Sequence, residues 1–204
     1  MVQRQQSWIN ALTATEERHR TFRDMCDGRV LDLLVIGGGG TGLGVALDAD
    51  HRGLDVCLVE AEDFAKGTSS RSTKLLHGGV RYLAQGNVSL VQEALRERTT
   101  LMTNAPHLAQ PLTFVLPVYG LGGRLFRKWF YGAGLVAYDL LAGAAGLGKT
   151  RFLNNQQTAA AVPGIRCEEL AGGVSYWDGQ FDDARLAVTI ARTAAQEGAM
   201  VMNH

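Results

Sequence analysis

Apolar residues along the 204-residue chain gather into short runs that stop at glycine and longer stretches with helical spacing. Residues 31–36, Leu-Asp-Leu-Leu-Val-Ile, end abruptly in four glycines. A short apolar run bounded by glycine predicts a buried parallel strand. Residues 43–52 are rich in Ala, Leu and Val and predict a helix that Gly53 closes. Val56-Cys57-Leu58-Val59 predicts a second strand, with Glu60 at its end. Residues 61–83 form a long polar, hydroxyl-rich passage, and residues 135–142 predict a helix. Asp182 is placed to cap a further helix that runs to Gly198, after which residues 199–202 begin another strand. Residues 1–28 are polar and partly helical, with Glu16-Glu17-Arg18-His19-Arg20 read as a solvated helix face. Strands and helices alternate on both sides of the polar passage, so the expectation is an α/β domain over residues 29–204.

Between the first strand and helix, Gly37-Gly38-Gly39-Gly40-Thr41-Gly42 satisfies G-x-G-x-x-G through Gly37, Gly39 and Gly42. Such a motif alone is weak. Here strand, glycine turn, helix, second strand and terminal acid stand in the order of a dinucleotide-binding βαβ unit, a Rossmann-like arrangement. Gly37 would permit the tight turn, Gly39 would let backbone N–H groups approach a diphosphate, and Gly42 would let helix pack on strand. The start of the helix contributes partial positive charge to a diphosphate. Glu60 can accept hydrogen bonds from both hydroxyls of an adenosine ribose, and its charge opposes a 2′-phosphate. The fingerprint does not separate NAD from FAD. The passage of Thr, Ser, Lys and Gly-Gly after Glu60 suits a segment running along an extended cofactor.

Composition narrows the partners. Twenty basic and twenty acidic residues give a net charge of +0, so no global field attracts nucleic acid, and none is expected as a partner. Glycine is the outlier, with 25 residues or about 12% against a usual 7% or so. Cys26, Cys57 and Cys167 have neither zinc spacing nor a disulfide framework, so no metal is expected, and a reducing, cytosolic compartment fits them.

Five segments together carry a family resemblance: Asp32-Leu-Leu-Val-Ile-Gly-Gly-Gly-Gly-Thr-Gly, Thr68-Ser-Ser-Arg-Ser-Thr-Lys74, His77-Gly-Gly-Val-Arg-Tyr-Leu83, Ala105-Pro-His-Leu108 and Tyr176-Trp-Asp-Gly-Gln-Phe-Asp-Asp-Ala-Arg-Leu186. From about residue 30 onward the chain resembles the N-terminal part of the FAD-dependent glycerol-3-phosphate dehydrogenases. The resemblance implies a Rossmann-like FAD-binding fold, incomplete at the C-terminus. It implies FAD as cofactor, glycerol 3-phosphate as substrate and a membrane quinone as electron acceptor. Gly37, Gly38, Gly39, Gly42 and Glu60 would hold the ADP half of FAD. Ser69, Ser70, Ser72, Thr73, Lys74 and His77, with the Gly78-Gly79 backbone, would lie along its ribityl and flavin half. Arg81 and Tyr82 would face the substrate, whose phosphate suits a guanidinium. His77 is read as a flavin neighbour rather than a general base.

Two other features invite rival readings. Gly143-Ala-Ala-Gly-Leu-Gly148-Lys149-Thr150 matches the P-loop pattern, but that loop needs a strand before it and a helix after it. A helix precedes this one and a polar loop is expected after it, so the match is read as accidental. Residues 129–148 are the most apolar stretch, with Asp139 at the centre and five glycines, a poor membrane span. With Arg124, Arg127 and Lys128 ahead of Trp129, Phe130 and Tyr131, a helix lying on the inner face of the cytoplasmic membrane and an internal, covered helix both stay open. The relatives implied by the resemblance are far longer, so the chain is expected to be truncated before a substrate-capping domain. A related flavin oxidase, or a nucleotide-binding fragment without activity, are the alternative functions.

Overall fold

The computed structural model describes residue 16 and residues 18–83, 85–120, 124–143 and 146–204; for residues 80, 81 and 124–131 it describes the backbone alone. Residues 18–26 are helical (α1). The chain then separates into two compact units, residues 1–73 with 183–204, and residues 74–182.

The first unit is built on a parallel sheet of β1 (Leu33–Ile36), β2 (Val56–Glu60) and β7 (Met200–Asn203), in the order β1-β2-β7. Leu33 pairs with Val56 and Ile36 with Val59, while Cys57 pairs with Met200 and Glu60 with Asn203. Helices α2 (Gly40–His51) and α7 (Asp183–Glu197) pack on each other and on the sheet. Their contact is made of small residues, Ala46 and Ala49 against Ala187, Ala191 and Ala194, and Leu43, Val56 and Leu58 fill the space above the strands. Side chains alternate along β1, so Val35 is buried in this core while Leu34 and Ile36 remain exposed. The predicted strands and helices are present with small shifts. The helix begins at Gly40, three residues before the apolar pattern does, because the glycines of the fingerprint form its first turn.

The second unit is an antiparallel sheet with helices, which the apolar pattern alone did not anticipate. Its centre is β6 (Leu170–Phe181), paired along one edge with β4 (Ala109–Tyr119) and along the other with β3 (Leu75–Leu76) and β5 (Arg151–Leu153). Around it stand α3 (Val80–Leu83), α4 (Val88–Asn104), α5 (Arg124–Ala142) and α6 (Asn155–Ala161). Asn154 and Gln157 form a reciprocal capping box that starts α6. Val91 and Leu95 of α4 meet Tyr138 and Ala142 of α5 in a second core.

The P-loop match has the wrong surroundings. It follows a helix and leads into strand β5, and the Asp139 carboxylate accepts the Thr150 N–H at 2.6 Å. A phosphate cradle needs that amide free. Among the described residues, no helix is long and apolar enough to cross a membrane.

Candidate functional site

In the first unit the glycine turn is shaped by three different constraints. Gly37 has φ +112°, a conformation that side chains rarely adopt, and its N–H donates to Val59 O at 2.9 Å. Gly42 lies inside α2, where an added Cβ would stand 2.0 Å from Gly37 O. Gly38 lies under Glu60 and Phe64, and a Cβ there would approach them to 2.9 and 2.6 Å. Gly39 and Gly40 differ: the nearest atom to a Cβ would be Ser69 Oγ, at 3.9 and 3.7 Å. The start of α2 is therefore uncrowded, and Gly39 has no side chain to cap it. The first amides of a helix lack intrahelical partners, so this end offers donors to an anion.

Glu60 closes the same corner. Its Oε2 accepts the Gly38 N–H at 2.6 Å and its Oε1 accepts the Glu62 N–H at 2.9 Å. The Gly38 amide first, then that of Glu62, holds its carboxyl below the usual range. Each oxygen keeps further acceptor capacity beyond these bonds. Ser69, predicted for the flavin half, stands at the start of α2, where its Oγ accepts the Gly40 N–H at 3.3 Å. Ser70 Oγ donates to Ala65 O at 2.5 Å, and Ser72 Oγ donates to the Asp183 carboxylate at the start of α7. Thr73 is exposed.

The remaining predicted residues belong to the second unit. Lys74 has φ +60°, and its Nζ donates to Asp182 Oδ1 at 2.9 Å. His77 is exposed, and it is followed by the buried pair Gly78 and Gly79, the latter with φ +80°. Tyr82 is exposed on α3. The side chain of Arg81 lies outside the described residues.

Sequence reasoning missed what lies behind that turn. Asp178 of β6 and Arg98 of α4 form an ion pair at 3.0 Å, their side chains only 3% and 1% exposed. Asp178 Oδ1 also accepts the N–H groups of Gly78 at 3.1 Å and Gly179 at 3.2 Å, and Oδ2 accepts the Tyr138 O–H at 3.2 Å. Burial, with the Asp178 charge second, pushes the Tyr138 phenol well above its usual value, so it remains a donor. The signal was available. Val91, Leu95 and Arg98 fall at i, i+4 and i+7, which puts an arginine on the apolar face of α4.

Residues 32–204 match the family described as FAD dependent oxidoreductase, and the chain belongs to that family. Within it, the chain is 44% identical over 201 residues to the probable mitochondrial glycerol-3-phosphate dehydrogenase of Caenorhabditis elegans, covering 95% of this chain and 27% of that one. It is 44% identical over 173 residues to the aerobic glycerol-3-phosphate dehydrogenase of Staphylococcus haemolyticus, covering 85% and 31%. The crystal structure of glycerol-3-phosphate dehydrogenase from Bacillus halodurans complexed with FAD is similar with a TM-score of 0.61 and 37% identity, over 89% of this chain and 28% of that one. The chain thus spans about a quarter to a third of the length of these relatives. The family's cofactor fits the first unit. An open helix start lies beside a turn that only glycine can make, with an ionised acid at the end of the next strand.

Proposed function

We propose that this chain is the FAD-holding N-terminal part of a glycerol-3-phosphate dehydrogenase, which oxidises sn-glycerol 3-phosphate to dihydroxyacetone phosphate. The single observation that carries the reading is identity of 44% to such enzymes across 85–95% of this chain. FAD, when bound, supplies the acceptor for the hydride that leaves C2 of the substrate. The chain's own residues bind and orient. Gly37 to Gly42 and the start of α2 receive the diphosphate, Gly38 keeps the Glu60 carboxylate aimed for the adenosine ribose, and Ser69 adds a hydroxyl at the helix start. Ser70, Ser72, Thr73, Lys74, His77, Gly78 and Gly79 are assigned to the ribityl and flavin half. Arg81 is assigned to the substrate phosphate on its charge, and Tyr82 to the substrate side with it.

A membrane quinone as acceptor, and a station on the inner face of the cytoplasmic membrane, belong to the same proposal. Their support is the outer side of α5, where Val136 and Leu140 are exposed, Leu140 by 77%, on a helix that also carries Arg124, Arg127, Lys128 and Trp129. The test supplies the protein that carries this segment with sn-glycerol 3-phosphate and a quinone analogue or redox dye. Stoichiometric dye reduction with formation of the ketone is expected. Reduction by an amino acid instead, or none despite a bound flavin, overturns the substrate. Equal turnover with oxygen overturns the quinone.

A further inference from the structure

The buried group of Arg98, Tyr138 and Asp178 is difficult to explain as a source of stability. Desolvating two charges costs several kcal/mol, and apolar replacements of such pairs are often neutral or stabilising. What the group does have is a specific target. Of the donors around Asp178, one comes from the backbone of Gly78, a residue with no side chain of its own to hold it. The turn is also shaped from behind, since a Cβ on Gly78 would stand 2.2 Å from Tyr138 Oη and 2.5 Å from Leu95 Cδ2. At its start β3 holds only two residues, Leu75 and Leu76, in the sheet. Between that short strand and α3, the turn is fixed chiefly by Asp178, and Asp178 in turn by Arg98 and Tyr138.

We propose that Asp178, held by Arg98 and Tyr138, is a positioning residue that sets the His77–Gly79 turn so that its backbone meets the isoalloxazine end of FAD. The proposal rests on the FAD reading above. Asp178 lies behind the turn and acts through Gly78. The carboxylate collects four donors, three of them from segments far apart in sequence, so the turn keeps one geometry before any cofactor arrives. Preorganisation of this kind lowers the ordering cost of binding.

The experiment titrates the apo form of the protein that carries this segment with FAD, followed by flavin fluorescence, and separately with ADP, which needs only the glycine turn and Glu60. Visible circular dichroism of the bound flavin reports the surroundings of the ring. Tyr138→Phe removes one donor and no charge. It is expected to weaken FAD by about tenfold, the worth of one hydrogen bond to a charged acceptor. It should also change the flavin dichroism and leave ADP affinity as in the wild type. Asp178→Asn should do the same more strongly; if it does not fold, Tyr138→Phe decides. Wild-type FAD affinity and dichroism in Tyr138→Phe overturn the proposal. So does a parallel loss of FAD and ADP, which marks a merely structural role. A wild-type protein carrying this segment that takes up no FAD overturns the FAD reading itself, and this assignment with it, before any variant is made.

Discussion

Two glycines of α2, two residues apart, give a matched test of how the fingerprint works. An alanine Cβ at Gly42 would stand 2.0 Å from Gly37 O, 3.2 Å from its carbonyl carbon and 3.4 Å from Val35 Cγ1, whereas one at Gly44 meets nothing within 4 Å. Gly37 has no easy retreat, because its φ of +112° and its bond to Val59 O tie it to the sheet. The helix must therefore back away from the strand, and overpacking of this kind costs about 3 kcal/mol at the upper end of its usual range. Alanine returns about 1 kcal/mol of helix propensity at either position. Gly42→Ala is thus expected to destabilise by about 2 kcal/mol and Gly44→Ala to stabilise by up to about 1 kcal/mol. In a chain of this size that is a melting temperature lower by about 4–8 °C in the first variant and higher by about 2–4 °C in the second. Differential scanning calorimetry of the two variants with wild type measures both signs at once. If Gly42→Ala melts at or above the wild type, the close approach of helix and strand is not what the glycine serves.

Three further outcomes are expected. Glu60→Gln should weaken FAD and ADP by about tenfold, through loss of a charged acceptor. Because the Gly38 amide holds the Glu60 carboxyl low, its contribution is complete above the ordinary glutamate range and disappears as pH falls through the lowered value. Nucleotide titrations from neutral pH downward should show that loss in the wild type and not in Glu60→Gln. With a thiol reagent such as dithionitrobenzoate, the exposed Cys26 and Cys167 should react at once and buried Cys57 only on unfolding, since burial pushes its thiol up. Lys149→Ala should leave FAD binding unchanged, and neither variant nor wild type should show saturable ATP binding that depends on that residue, because Asp139 already occupies the Thr150 amide.

The first unit was legible because each part of it is written locally. Leu33 to Ile36, the glycines, the apolar Val56 to Val59 and Glu60 follow one another within thirty residues or so, and β2 makes the register with β1 that their order implies. The long strands of the second unit carry no such pattern. β4 contains Pro111 and Pro117, and β6 contains Gly172, Gly173, Gly179 and a charged Asp178, residues that argue against a strand when read alone. They become strands because they pair with each other, Leu112 with Asp178 and Phe114 with Tyr176, whose rings stack 5.4 Å apart. For the site, residue types were legible and their engagements were not. Ser72 and Lys74 each make a bond to a carboxylate more than a hundred residues away in sequence, which no local pattern announces. Asp178 stood in view within a segment of the resemblance, but its meaning depends on Arg98 and Tyr138, which sequence proximity does not supply.

The route of the chain through the first sheet has a consequence for biosynthesis. β1, α2 and β2 emerge from the ribosome early, but their third strand and second helix, β7 and α7, are made only after the whole of residues 74–182. Until then Leu43, Ala46 and Ala49 have no Ala187, Ala191 or Ala194 to cover them. Pairings of such wide sequence separation form slowly, because the loop must close before any contact is gained. The second unit is one continuous segment and carries its own core, so it can form while synthesis proceeds. The parallel sheet is thus the last part of this chain to mature, its β2 edge open until β7 pairs with it.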